Sequence, residues 1–275
     1  MKEIYRGMTR SQLDAAYNNT KAVENFTKLL EEFQFSSKKL YLEKKSQIDV
    51  CYHSSPRTTF DYFPASQKNC PTFIFIHGGY WQNCNKEDFA FIAEGILNAG
   101  INVILAEYTL APEASMTQIV NEIGLLLDYL NQHTVELNIT RGKVCLGGHS
   151  AGGHLTVIHR NHPLISHAMP ISALIDLQPI SLCWLNDKLS LSDNEIEKYS
   201  PINKLIKGGP IAVHVGGGEL PELIRHSKEL YHELKDIGSN VIYQEVGNHD
   251  HFTQLYEFTD PDGFLVKSLK ELLAR

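Results

Sequence analysis

Short, nearly continuous apolar runs alternate along this chain with longer stretches in which apolar residues recur every three or four positions. Thr72-Phe73-Ile74-Phe75-Ile76 is all apolar after its first residue and rich in β-branched and aromatic side chains, which predicts a strand buried on both faces. The same reasoning predicts strands over Gln47 to His53, Thr58 to Phe63, Thr72 to Ile76, Asn102 to Glu107, Lys143 to Leu146, His167 to Pro170, Ile211 to Val215 and Val241 to Val246. Helical spacing predicts helices over Ser11 to Phe33, Lys86 to Asn98, Met116 to His133, Ala151 to His159, Pro221 to Ile237 and Asp262 to Leu273. The first two strands flank Ser54-Ser55-Pro56-Arg57 and are expected to form an antiparallel hairpin at one edge. Beyond it, strand and helix alternate as a mostly parallel sheet with helices on both faces requires, so the expected class is α/β.

Composition narrows the setting. A chain of 275 residues suits one α/β domain with an extensive core, and no repeat, low-complexity run or linker divides it. No apolar stretch approaches roughly 20 residues, so no membrane span is expected. The amino terminus lacks the basic-then-apolar pattern of a secretory signal. The five cysteines, Cys51, Cys70, Cys84, Cys145 and Cys183, are odd in number and scattered, which favours reduced thiols in a cytoplasmic protein over a disulfide framework. A formal charge of −7 without a basic stripe argues against a nucleic-acid partner. The expected partner is a small acyl substrate, and homodimer formation is left open.

The chemistry concentrates where strands end. Gly148-His149-Ser150-Ala151-Gly152 spells G-x-S-x-G directly after an apolar run. A serine there sits on a sharp strand-to-helix turn that lifts its hydroxyl clear of the backbone, and small neighbours make room for it. Upstream, Thr72 to Ile76 runs into His77-Gly78-Gly79-Tyr80-Trp81. A glycine pair after a buried strand can aim N–H groups into a cavity, as acyl transfer needs where negative charge builds on the carbonyl oxygen. Gly78 and Gly79, with the N–H of Ala151, are therefore the expected oxyanion hole.

Such a serine needs a base, and the base needs an orienting acid, following in the order acid, then histidine. Strand Ile211 to Val215 is followed by Gly216-Gly217-Gly218-Glu219-Leu220-Pro221-Glu222, and Val241 to Val246 by Gly247-Asn248-His249-Asp250-His251-Phe252. Glu219 is preferred over Glu222, because Pro221 suits the first turn of a helix and Glu222 its N-terminal charge. His251 is preferred over His249. The His-x-His pair beside Asp250 also suggests metal, but a zinc site wants three or four ligands and no second cluster has ligand spacing, so no metal or organic cofactor is expected.

These motifs resemble a known family. His77-Gly78-Gly79-Tyr80-Trp81 is similar to the HGGYW signature of the kynurenine formamidase (arylformamidase) branch of the α/β-hydrolases. Glu107-Tyr108-Thr109-Leu110-Ala111-Pro112-Glu113 resembles the Y-x-L-A-P-E segment that follows the next strand there and in related esterases. Gly148 to Gly152 matches the nucleophile elbow, Gly216 to Leu223 resembles the acid loop, and Asp250-His251-Phe252 resembles the surroundings of the catalytic histidine. Arg6 to Asn19 is similar to the opening of microbial members. The resemblance implies an α/β-hydrolase fold and a triad of Ser150, His251 and Glu219, the last standing where formamidases commonly carry aspartate. It also implies a small acyl group on an aryl amine as substrate, as in N-formylkynurenine.

Aromatic rings beside the hole could stack on an aryl leaving group, so Tyr80 and Trp81 are candidate substrate-binding residues. Residues 174–199, with Trp184 and a capped Ser192-Asp193-Asn194-Glu195 helix start, are expected to form a small cap over the site. Two rival readings use the same residues: a carboxylesterase or arylesterase for short acyl esters, and a non-catalytic binding protein on the same fold, against which no triad residue is missing.

Overall fold

In the computed structural model, which describes residues 2–275, eight strands form one sheet in the order β1-β2-β4-β3-β5-β6-β7-β8. They are β1 Gln47–Cys51, β2 Thr59–Phe63, β3 Thr72–Ile76, β4 Asn102–Ala106, β5 Val144–His149, β6 His167–Ile171, β7 Ile211–Gly216 and β8 Val241–Val246. The hairpin β1–β2 is antiparallel and exposes β1 at the edge, β2 meets β4 antiparallel, and every later pairing is parallel. The helices are α1 Arg10–Ala16, α2 Asn19–Ala22, α3 Phe26–Glu43, α4 Ala93–Asn98, α5 Met116–Gln132, α6 Ala151–His159, α7 Gln178–Ser181, α8 Asn186–Leu189, α9 Asp193–Tyr199, α10 Pro221–Asp236 and α11 Phe264–Leu273.

The two faces of β3 show how an uninterrupted apolar run is used. Ile74 and Ile76 pack into one core with α5, α6 and the segment 174–199, while Phe73 and Phe75 pack into another with α3, α4 and α11. Each such side chain, fully buried, stabilises the fold by about 1.5–3 kcal/mol. The strand order also sets the site. After β3 the chain steps outward to β4, then crosses back to place β5 on the other side of β3. The crevice beyond the carboxyl ends of β3 and β5 is therefore the switch point at which open α/β sheets bind ligands.

The amino-terminal reading needs correction. The expected helix over Ser11 to Phe33 is three helices. Asn18 accepts a hydrogen bond from Lys21 N–H at 3.2 Å, and Asn25 takes a left-handed φ of 58° between α2 and α3. Asparagine offers the backbone such alternatives to a continuing helix. The third helix then runs on to Glu43. The stretch from Lys86 also divides, into a 3-10 helix Lys86–Ile92 capped by Asn85 and Asp88, followed by α4. The other expected strands and helices lie within three residues of their predicted bounds. Among the described residues no helix is long and apolar enough to cross a membrane.

Candidate active site

The turn after β5 carries Ser150 at φ 57°, ψ −115°, a strained backbone for a residue with a side chain. The room comes from Gly152: a Cβ there would lie 2.0 Å from the Ile76 carbonyl oxygen at the end of β3. Ala151 opens α6, so its N–H has no partner within the helix.

Across the switch point, the loop after β3 is bent just as tightly. Gly79 takes φ 109°, Tyr80 and Trp81 take 58° and 59°, and a Cβ on Gly79 would meet the Asn83 carbonyl oxygen at 2.2 Å. The Gly79 carbonyl accepts from Gln82 and Asn83 N–H at 3.0 and 2.9 Å. Among the described residues the N–H groups of Gly78 and Gly79 have no acceptor. His77 ties the loop down, with Nδ1 2.7 Å from the Gly78 carbonyl oxygen and Nε2 2.9 Å from Glu107 Oε1. Burial opposes the charge on Glu107, but His77, Arg57 and the Lys86 N–H outweigh it and hold this carboxyl below its ordinary value.

Beyond β7 and β8 lie the candidate acid and the candidate base. His251 Nδ1 is 2.5 Å from Glu219 Oε2. Glu219 Oε1 accepts from Ser172 Oγ at 2.5 Å, Gly216 N–H at 2.7 Å and Gln254 Nε2 at 2.7 Å. A buried carboxylate held by that many donors is fixed in position. Glu222 lies elsewhere, bound to Tyr17 and Arg225, and His249 is occupied by Glu257 at 3.1 Å. Among the described residues no group of three His, Cys, Asp or Glu is placed to hold a metal ion.

Ser150 and His251 line one cavity of about 1030 Å³. Neither Ser150 Oγ nor His251 Nε2 hydrogen-bonds to a described residue, and both open on that space; such contacts tighten when substrate is bound. His149 shares the cavity wall. Burial and the adjacent His251 push its pKa well below the ordinary histidine value, so its ring is neutral. Aromatic side chains supply much of the lining: Phe26, Phe33, Tyr80, Phe89, Trp184 and Phe252.

Two expectations about this lining are corrected. Trp81 is fully buried, packed edge-on against His154 with ring centroids 5.0 Å apart, and stays out of the cavity. Its indole is worth more to the core beneath the loop than to a ligand. The segment 174–199 contributes only Trp184, because its leucines turn into the core. The roof is instead residues 20–34, on α2 and the first turns of α3, anchored by Tyr80 Oη accepting from Asn19 N–H at 2.9 Å. Sequence reasoning also missed Ser172 and Gln254 behind Glu219. Isolated polar residues give no period or motif, and their meaning appears only when the strand ends converge.

Comparison with known proteins agrees with this architecture. The BD-FAE family profile matches residues 61–162. Kynurenine formamidase of Danio rerio is 28% identical over 245 residues, 83% of this chain and 82% of that protein. An esterase of Gibberella moniliformis is 31% identical over 112 residues, 40% of this chain and 35% of that protein. A solved structure from Silicibacter sp. TM1040 superimposes with a TM-score of 0.85 at 24% identity, over 94% of this chain and 99% of that one. An esterase from Pyrobaculum calidifontis gives 0.73 at 16% identity, over 90% and 92%. The chain has the α/β-hydrolase fold and is similar over most of its length to the kynurenine formamidase of Danio rerio.

Proposed function

We propose that this hydrolase cleaves aryl formamides, N-formylkynurenine or a close analogue, through a formyl-enzyme. Ser150 Oγ attacks the carbonyl carbon while His251 Nε2 takes its proton. The carbonyl electron pair moves onto oxygen, where the N–H groups of Gly78, Gly79 and Ala151 receive it. His251 then protonates the nitrogen, the C–N bond breaks and the aryl amine leaves. Water repeats the sequence on the ester and releases formate. Glu219 holds the imidazole by Nδ1 and stabilises its charged form.

The observation that carries this reading is the contact of Glu219 with His251 at 2.5 Å, on the wall of the cavity into which Ser150 opens. Aromatic lining suits an aryl leaving group, and the similarity to a kynurenine formamidase over 83% of the chain favours the formamide. A second reading, cleavage of short-chain or aryl esters, draws support from the esterase similarity over 112 residues. Parallel turnover of N-formylkynurenine and p-nitrophenyl acetate separates them: good cleavage of the ester with none of the formamide removes the first reading. The five free cysteines support a reducing compartment such as the cytosol.

A further inference from the structure

His149, the variable letter of the G-x-S-x-G motif, has no part in the relay just described, yet its ring reaches the cavity wall between His251 and the oxyanion loop. Its Nε2 lies 2.7 Å from the carbonyl oxygen of His251. A carbonyl can only accept, so the hydrogen of this imidazole is on Nε2 and Nδ1 keeps its lone pair. Among the described residues Nδ1 has no hydrogen-bond partner, and it opens on the cavity. Its position is fixed by two neighbours: a Cβ placed on Gly78 would lie 3.1 Å from His149 Nδ1 and 3.2 Å from Ser150 Cβ. The ring centroids of His149 and His251 are 4.4 Å apart. A single unpaired acceptor thus stands beside the nucleophile, the oxyanion loop and the base.

We propose that His149 Nδ1 accepts the hydrogen on the scissile nitrogen, and so makes the site selective for secondary amides over esters of the same shape. This rests on the formamidase reading and names the feature of the substrate that would be read. When Ser150 adds to a formamide, the nitrogen becomes pyramidal and its lone pair must turn toward the proton on His251. The N–H then points elsewhere, among the buried side chains of Ser150, His149 and His251. Left unpaired there it would cost transition-state stabilisation, whereas an ester oxygen has no hydrogen to satisfy.

The ring's other properties agree. A lone pair beside the hole offers nothing to an oxyanion, so His149 does not act as a further oxyanion donor. The neighbouring acceptor, the Gly79 carbonyl, is already engaged by two N–H groups. A neutral His149 also leaves His251 free to become an imidazolium, where a charged neighbour would oppose it.

The test compares formanilide with phenyl formate, which differ by N–H against O, using wild type, His149→Leu and His149→Gln, with spontaneous ester hydrolysis subtracted. The expected result is that His149→Leu loses about tenfold or more in kcat/KM on formanilide relative to phenyl formate, with partial recovery in His149→Gln, which restores an acceptor. An unchanged amide-to-ester ratio in His149→Leu overturns the proposal, since lost support for the His251 carbonyl would lower both substrates alike. Should the variants not fold, wild type alone still decides: N-methylformanilide, which lacks the hydrogen, is expected to turn over at least about tenfold less efficiently than formanilide. Equal turnover overturns the proposal. A wild-type enzyme that cleaves phenyl formate but neither formanilide nor N-formylkynurenine removes the formamidase reading itself, a different result from an unchanged ratio.

Discussion

Ser150, Glu219 and His251 follow the buried or half-buried parallel strands β5, β7 and β8, whereas residues 20–34, which roof them, belong to no strand. Both regions face one cavity. At the strand ends each polar group is held from behind: Glu219 by Ser172, Gly216 and Gln254, and the loop after β3 by His77 and Glu107. The roof is tied by fewer long-range bonds, among them Asn19 N–H to Tyr80 and Gln34 to Asp88 at 2.8 Å, and by ring contacts such as Phe26 on Phe252 at 4.7 Å. Reacting groups must be held within fractions of an ångström, and a sheet does that well. A surface that only receives the substrate needs shape more than rigidity.

If the strand ends carry the chemistry, changes there should abolish turnover without unfolding the protein. Ser150→Ala is expected to lower kcat on the order of 10⁴-fold or more, with an unchanged thermal midpoint. Covalent labelling by a fluorophosphonate should vanish with it, and activity near that of the parent would remove the nucleophile assignment. Glu219→Gln comes next, at roughly 10²- to 10⁴-fold in kcat, because the imidazole loses its orienting charge. Glu222→Gln is the control, since Glu222 lies in the cluster with Tyr17 and Arg225. It should cost stability and leave kcat nearly untouched; the reverse pattern in the two glutamates would exchange their roles.

The same contrast explains what could be read from the chain. Strand ends are visible because buried parallel strands leave continuous apolar runs, such as Thr72 to Ile76, and because the turns after them demand glycine. Gly78, Gly79 and Gly152 stand where a Cβ would collide with the backbone or sit against the neighbouring turn. The roof leaves no such mark. Phe26, Leu29, Leu30 and Phe33 recur at ordinary helical spacing, and nothing in that spacing separates a helix that packs on a core from one that covers a cavity. Trp81 shows the opposite error. Its place beside the hole suggested contact with substrate, but at φ 59° the backbone turns the indole inward.

Acid tests the joint between α6 and the segment behind it. His154 on α6 is buried, with Nε2–H donating to the Tyr199 carbonyl at 2.7 Å, and burial pushes its pKa down to about 4. The unfolded chain takes up this proton near the ordinary value of 6.5, so between the two values it binds more protons than the folded one. Stability is therefore fully present above about pH 6.5 and is lost as pH falls toward 4, by roughly 2 kcal/mol between pH 7 and 5 for this group. Urea unfolding at both values measures it. The drop should shrink by about that amount in His154→Gln, and an equal drop in both proteins would show that His154 is not held neutral.

The smallest effect should come from the roof, and it sharpens the contrast most. Phe26 lines the cavity and packs on Phe252, the residue after His251. Truncating it to alanine removes apolar surface that an aryl ring would cover, and covering a ring stabilises ground and transition states alike. Phe26→Ala should therefore raise KM for N-formylkynurenine by a few-fold to roughly tenfold at nearly constant kcat, the signature of lost uniform binding. For a small ester such as p-nitrophenyl acetate, KM should move less, provided its ring does not reach the roof. A fall in kcat on both substrates would mean that the roof reaches the chemistry through Phe252 and His251, and the division between a rigid reacting floor and a receiving roof would have to be abandoned.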